Sequence, residues 1–484
     1  MFASLYTSRV VLEALGVEDF GIYNVVGGVV SVFTVISGAL SSAISRFITY
    51  ELGKGNNSQL NRIFSASVTI QLLLALIVVV GMETIGVWFL NTQMEIPAER
   101  LTAANWTLQL SIVTFVINLI SVPYNATIIA HEKMSAFAYI SILEVMGKLL
   151  IAFLIVASPI DRLVFYSILM CLIAVAIRFI YAAYCKRHFK ECNYRFVYDK
   201  EMLKQMFFFA SWNFLGTGAY MLNSQGVNIL INLYFGVKMN AARAIVTQVD
   251  AALRQFINSF TTAVNPQIVK SYAQENFDYM YSLVCRSAKF SSFLLLLFVI
   301  PISFEAKAIF SLWLNEVPEY TVTFFRLSVF VVFVDGALTN SLMTSVFATG
   351  NIKQYQIAVS ALGILVFPFT WLFYSLGYPA WITYVVYAVV YCGILWVRLR
   401  CVKKSIGMQI QKYVEEVLLR VLSVSVCSIL PPLFVYYTMS GGIVRLVSIT
   451  TVSFMTTILV ILFIGLTKDE REFIIHKLKA AIHS

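Results

Sequence analysis

Charge is what this chain has least of: 12% of its residues are Asp, Glu, Lys or Arg, against roughly 25% in an ordinary soluble domain, while 59% are hydrophobic. Such a composition excludes a soluble globular fold and leaves a polytopic membrane protein. Histidine and cysteine are also sparse, at four and seven residues. His131, His188, His476 and His483 are scattered, with no Cys or carboxylate at ligand spacing, so no metal site is indicated. Cys171, Cys392 and Cys427 fall in apolar spans. Cys185, Cys192, Cys285 and Cys401 fall in or beside loops read below as cytoplasmic, where disulfides are rare. There is no nucleophile elbow, P-loop or paired-carboxylate constellation, which argues against ATP hydrolysis and against the common hydrolases. No loop approaches the ~50 residues of a folded domain, so a soluble catalytic domain is excluded as well.

What is present is apolar sequence in spans of about 20 residues or more, each able to cross a ~30 Å hydrocarbon core. Thirteen are readable, at 20–50, 63–90, 101–130, 135–157, 163–184, 205–236, 240–270, 287–314, 321–348, 355–376, 380–397, 413–438 and 443–466. The first segment, residues 1–16, lacks the basic start and small-residue cleavage site of a signal peptide. It is too short to cross, and is expected to be part of a whole first helix, bringing the total to fourteen.

The bases lie on alternate loops. One set of loops (51–62, 131–134, 185–204, 270–289, 349–354, 398–412 and 467–484) holds nearly all loop Lys and Arg, and the other holds only Arg100, Arg162 and Lys238. By the positive-inside rule both termini are cytoplasmic. The formal net charge of +10 follows from that topology and is no argument for a nucleic-acid partner. The tail 467–484 places Phe473, Ile474, Leu478 and Ile482 opposite Lys477 and Lys479, the pattern of an interfacial amphipathic helix.

The chain also repeats itself. Ser41-Ser42-Ala43-Ile44 returns as Thr261-Thr262-Ala263-Val264, and Gly16-Val17 as Gly236-Val237, both at an offset of 220 residues. The same register matches Val26 with Val246, Ile48 with Ile268 and Asn56 with Asn276. Trp88-Phe89-Leu90-Asn91 before Pro97 echoes Trp313-Leu314-Asn315 before Pro318. The expected organisation is all-α: a six-helix lobe over 1–200, a second over 201–404, an extra helix pair over 405–466 and a cytoplasmic tail over 467–484. Two matching halves facing a midplane site are the architecture of an alternating-access transporter.

Ionisable residues inside spans are costly and default to function. Arg9, Arg46, Lys148, Arg178, Arg243, Arg254, Lys307, Arg326, Arg420 and Arg445 lie within spans or at their ends, opposed only by Glu13, Glu83, Glu144, Asp250, Glu305 and Asp335. Span 240–270 carries Arg243, Thr247, Asp250, Arg254, Asn258, Thr261 and Asn265 at steps of three or four, one helical stripe ~33 Å long at 1.5 Å per residue. Its repeat-equivalent stripe is small and neutral until Arg46. Blander readings compete. Asp250 and Arg254, four apart, also fit a self-neutralising pair, as do Glu144 and Lys148. Arg46, Lys307, Arg326, Arg420 and Arg445 sit where snorkelling to the interface would serve. Small-residue stripes also make helix-packing seams.

The run Tyr6-Thr7-Ser8-Arg9-Val10-Val11-Leu12, continuing through Leu15-Gly16-Val17-Glu18-Asp19-Phe20-Gly21-Ile22-Tyr23-Asn24-Val25-Val26-Gly27-Gly28, resembles the first-loop signature of bacterial Wzx-type polysaccharide flippases. These form the polysaccharide transporter branch of the multidrug/oligosaccharidyl-lipid/polysaccharide exporter superfamily. Phe347-Ala348-Thr349-Gly350-Asn351-Ile352-Lys353 resembles a loop in that family's second half. The resemblance implies two six-helix lobes around a central cavity plus a final helix pair. It also implies a non-enzymatic inner-membrane transporter that moves undecaprenyl-pyrophosphate-linked oligosaccharide, such as an O-antigen repeat unit of lipopolysaccharide, by alternating access.

With that chemistry the expected phosphate and cavity residues are Arg9, Arg243, Arg254 and Arg46, the last at the cytoplasmic mouth. Asp250 is the expected gate or coupling group, and Asn213, Asn228, Thr247 and Asn258 are the sugar contacts. No metal and no cofactor is expected, and coupling to H+ or Na+ stays open. The expected partners are the lipid-linked substrate, membrane lipids and other polysaccharide assembly proteins, around a monomer. The competing readings are a multidrug/cation antiporter, which favours acidic groups, a lipid II flippase, and a polysaccharide polymerase or ligase, which carries a large periplasmic loop absent here.

Overall fold

The computed structural model describes residues 34–92, 96–155, 158–195, 199–314, 317–467 and 470–472, together with 10–11, 13–16, 19–20, 22–23 and 26. Helices dominate, and there is no strand among the described residues. The long ones are α1 (Thr34–Lys54), α2 (Gln59–Thr92), α3 (Ala98–Ala130), α4 (Met134–Leu154), α5 (Arg162–His188), α6 (Lys200–Ala273), α7 (Phe277–Phe304), α8 (Thr321–Ala348), α9 (Lys353–Ser375), α10 (Ile382–Ile406), α11 (Ile410–Thr438) and α12 (Ile443–Gly465). Ten of these, α2–α5 and α7–α12, are long and apolar enough to cross a membrane. The other two, α1 and α6, carry the polar stripe, with Arg46 on one and Arg243, Asp250 and Arg254 on the other. The expected total of fourteen helices also draws on residues 1–9, which lie outside the described ones.

The chain forms two compact units, divided between Thr217 and Gly218 within α6. In the first, α3 packs along α5, with Phe64, Tyr124, Ile128, Ile177 and Tyr181 in one core cluster. The Phe64 and Tyr124 rings meet edge-on at 5.0 Å. Val11, Ala14 and Leu15 are buried against Ile151, Ile155 and Tyr166. At one end Arg100 bridges Asp19 and Asp161, 2.5 Å from the latter. Asp161 also caps α5 by accepting from the Leu163 and Val164 amides at 3.1 and 3.2 Å. Burial pushes the Asp161 carboxyl up, but Arg100 and those amides outweigh it and hold it below its ordinary value.

In the second unit Leu295, Val299, Phe310, Phe324, Phe325 and Tyr384 form the central cluster. Both α11 and α12 pack on α7. The α12 contact is fixed at one end by Arg445, which donates from Nε to Glu305 Oε1 at 2.6 Å while its guanidinium covers the Tyr436 ring. At the other end Glu470, just past α12, pairs with Lys289 of α7 at 2.6 Å.

The repeat is visible as backbone conformation. Gly16 and Gly236, 220 residues apart, have φ of 82° and 77°. Gly55 and Glu275, at the same offset, have φ of 71° and 58°. The next residues, Asn56 and Asn276, cap α2 and α7 alike, each accepting from the amide three residues on at 3.4 and 3.3 Å. Gly236, with φ 77° and ψ −175°, interrupts α6 and sets the course of the segment that carries Arg243. Only glycine occupies that region without strain. A Cβ at Gly236 would meet nothing within 4 Å, so Gly236→Ala is expected to cost only the backbone term, about 1–3 kcal/mol. Equilibrium unfolding in mixed micelles reads that loss directly.

Candidate functional site

Arg243 lies two turns past the Gly236 break and is 5% exposed. Its Nη2 donates to the Ser224 carbonyl at 3.2 Å, while Nε and Nη1 are buried with no hydrogen-bond partner. Leaving donors of a buried charge unmet is among the costlier arrangements a protein can hold. Arg243 also lines a cavity of about 140 Å³ walled by Tyr220, Ser224, Thr247, Asp250, Arg254, Ser328, Tyr384, Tyr387 and Tyr391. Asp250 Oδ1 accepts from the Ser328 hydroxyl at 2.9 Å.

Arg254 closes this cavity and opens a second, of about 190 Å³, with Asn258, Asp335, Asn340 and Arg398. Its Nη1 pairs with Asp335 Oδ2 at 2.8 Å, and Arg398 Nη1 with Asp335 Oδ1 at 3.2 Å. Arg398 also donates to the Thr339 hydroxyl. Asp335 is therefore shared by two guanidinium groups from α6 and α10. It sits in a π-helical turn of α8, Phe333–Ala337, the kind of irregularity that re-aims a side chain and recurs at functional sites. A Cβ on the neighbouring Gly336 would come within 3.0 Å of Ile257 Cδ1, so glycine lets α8 approach α6 closely.

Five of the expected site residues converge on these cavities: Arg243, Thr247, Asp250 and Arg254 on the first, Arg254 and Asn258 on the second. Asn228 lines neither, and its side chain donates to Gln225 at 3.2 Å. Asn213 and Arg46 belong to the first unit. The Arg46 guanidinium covers the rings of Phe47 and Tyr50, each at 4.7 Å, and reaches Phe209 at 5.9 Å. Arg9 lies outside the described residues.

One sequence reading needs correcting, and one pair of alternatives is narrowed. The closest partners of Asp250 and Arg254 come from α8, Ser328 for the acid and Asp335 for the base. Arg398, assigned to a loop, is inside α10 and 8% exposed, because the helix runs on to Ile406 and stops at Gly407 with φ 75°. The Glu144–Lys148 pair does form, at 2.5 Å. Sequence reasoning missed the aromatic wall, although Tyr384, Tyr387, Tyr391 and Arg398 share one face of α10 by helical spacing.

A third feature is an apolar groove of about 950 Å³ between α7, α8, α10 and α11. Leu296, Val299, Phe333, Val421 and Leu433 line its length, with Arg326, Tyr436 and Tyr437 also bordering it. It borders α11 of the extra helix pair, and α12 contributes none of its wall.

Residues 4–272 match the polysaccharide biosynthesis protein family. A curated relative, the uncharacterized membrane protein EpsK of Bacillus subtilis (strain 168), is 19% identical over 320 residues, 65% of this chain. The match spans 62% of that relative, less than two thirds of its length. Among solved structures, an outward-facing multidrug resistance MATE family transporter of the MOP superfamily superposes with a TM-score of 0.67 at 16% identity, covering 83% of this chain and 92% of its own. A MOP superfamily transporter from Pyrococcus furiosus, described by a reverse polarity of its binding pocket, gives 0.66 at 15% identity, covering 84% and 93%. At such identities the likeness is one of fold.

Proposed function

Since the chain belongs to the polysaccharide biosynthesis protein family and has the fold of a MATE-like multi-pass transporter, we propose that it is a flippase for lipid-linked oligosaccharide. The cargo is undecaprenyl-pyrophosphate-linked glycan, and the route is from the cytoplasmic to the periplasmic leaflet of a bacterial inner membrane, by alternating access. The observation that carries this reading is Arg243, a nearly buried guanidinium without a carboxylate ion pair that lines a cavity walled by hydroxyls and a carboxylate. Such a site calls for a ligand that is both anionic and rich in hydroxyl groups. A glycan carried on a diphosphate has both properties. Asp250 is the acid placed to couple proton or sodium movement to the cycle, and the apolar groove suits the polyprenyl tail.

The test is leaflet reorientation of a fluorescent undecaprenyl-diphosphate oligosaccharide in proteoliposomes. Wild-type protein is expected to accelerate it, and Arg243→Ala to slow it at least about tenfold, the effect of removing one or two charge-assisted hydrogen bonds. Unchanged reorientation in a correctly folded Arg243→Ala would remove this cavity from the transport path. Efflux of a cationic dye without any lipid movement would favour the multidrug antiporter instead.

A further inference from the structure

The first unit carries an apolar groove of its own, of about 840 Å³, walled by α1, α2 and the start of α6. On α6 its wall is a helical stripe: Lys200, Lys204, Phe207, Ser211 and Phe214 recur at steps of three or four and so share one face. The adjoining face carries Met206, fully buried with Ile44 of α1 and with Ile63 and Ala66 of α2, which seats the helix and leaves the groove beside it. Phe207, and Leu73 and Ile77 of α2, stand more than half exposed although they line a concavity, so no side chain among the described residues fills it.

The two lysines mark one end, and no carboxylate is part of the wall. Asp199, one residue before α6, is committed to the helix start, where its Oδ1 accepts from the Met202 amide at 3.1 Å. Glu201 is exposed and lies outside the groove. From Lys204 to Leu215 the wall rises about 17 Å at 1.5 Å per residue, close to half of a ~30 Å hydrocarbon core. The groove is therefore one leaflet deep. Its lysines close the base-rich stretch 185–204, which the positive-inside rule assigns to the cytoplasmic surface. An occupant of matching shape has hydrocarbon one leaflet long and a negative headgroup at the interface. A polyprenyl chain is longer than a leaflet and would overrun the groove. A zwitterionic lipid brings as much positive charge as negative and gains little from two lysines.

We propose that this groove is a binding site for an anionic glycerophospholipid of the cytoplasmic leaflet, with its phosphate between Lys200 and Lys204 and its acyl chains against α1, α2 and α6. Basic pockets between membrane helices on the cytoplasmic side recognise lipid headgroups in this way. The proposal goes beyond the transport reading and does not depend on it.

Full-length protein in detergent would be supplied with equal amounts of phosphatidylglycerol and phosphatidylcholine of the same acyl chains, and the retained lipid read by native mass spectrometry. Wild type is expected to prefer phosphatidylglycerol at least about tenfold, the effect of two lysines beside an anionic headgroup. Lys200→Gln with Lys204→Gln should abolish that preference. Lys186→Gln with Arg187→Gln removes the same charge from the same stretch outside the groove, and should keep it. Ser211→Trp, which fills the groove without changing its charge, should expel either lipid, and unfolding midpoints would verify that the variants are folded. The wild-type ranking and the two charge variants decide the matter even if Ser211→Trp fails to fold. Equal retention of the two lipids would overturn the proposal. So would equal loss of preference in both double variants, which would reduce the effect to surface charge. Undecaprenyl phosphate added in equal amount tests the other source of an anionic lipid. Phosphatidylglycerol is expected to stay bound, and its displacement would overturn the phospholipid assignment and make the groove a site for the carrier lipid.

Discussion

Asp335→Ala is expected to destabilise the second unit by about 3–5 kcal/mol, because it strands two guanidinium groups that now share one carboxylate. The magnitude reflects removal of one member of a buried ionic cluster, which leaves charge uncompensated, rather than the net worth of the cluster itself. Replacing all three members by apolar residues, as Arg254→Leu, Asp335→Leu and Arg398→Met, should therefore recover most of the loss. Equilibrium unfolding in mixed micelles would measure both. If Asp335→Ala cost less than about 1 kcal/mol, the range of a solvated surface pair, the bridge could not be the brace between α6, α8 and α10 described above.

The second large effect is expected where α12 ends. Glu470 accepts from Lys289 at 2.6 Å, lies 3.6 Å from Arg286 Nε, and closes a capping box with Thr467. Lys289 is 3% exposed, so Glu470→Ala leaves a nearly buried ammonium alone at an expected cost of about 3–5 kcal/mol. Burial pushes the Glu470 carboxyl up, but Lys289 and Thr467 outweigh that and hold it below its ordinary value. A depressed folded value means that the carboxylate stabilises the fold at neutral pH. That contribution is lost as the pH falls through the ordinary carboxylate range toward the lowered folded value. Unfolding midpoints of wild type and Glu470→Gln should differ at neutral pH and converge in acid. A constant difference down to strongly acidic conditions would detach this pair from the acid sensitivity of the fold.

Where the signal was local, the sequence was readable. The stripe on α6 is a matter of spacing, and Arg243, Asp250 and Arg254 do border cavities. The duplication was equally legible, because an offset of 220 residues brings Gly16 onto Gly236 and Asn56 onto Asn276. Partners brought together by tertiary packing were not. Asp335 and Arg398 are 63 residues apart, and nothing local to either announces the other. Counting charges also misplaced the end of α10, because Arg398, Arg400, Lys403 and Lys404 together look like a loop. Paired inside the fold, Arg398 costs the helix little, and α10 continues past it. The competing reading of Asp250 and Arg254 as a local pair gives way for a similar reason, since helical proximity is worth only a few tenths of a kcal/mol and yields to a better-placed neighbour.

The apolar groove has a mechanical consequence. All of its walls, from α7, α8, α10 and α11, belong to the second unit, and Arg445–Glu305 ties the adjoining α12 to the same body. A hydrocarbon chain lodged there is a passenger on one body. On the proposed flippase reading it would keep the same walls through the cycle, so the energy of its solvation need not change from one step to the next. The sugar end alone would have to exchange surroundings, and the cycle would be timed by polar chemistry, whatever the length of the tail.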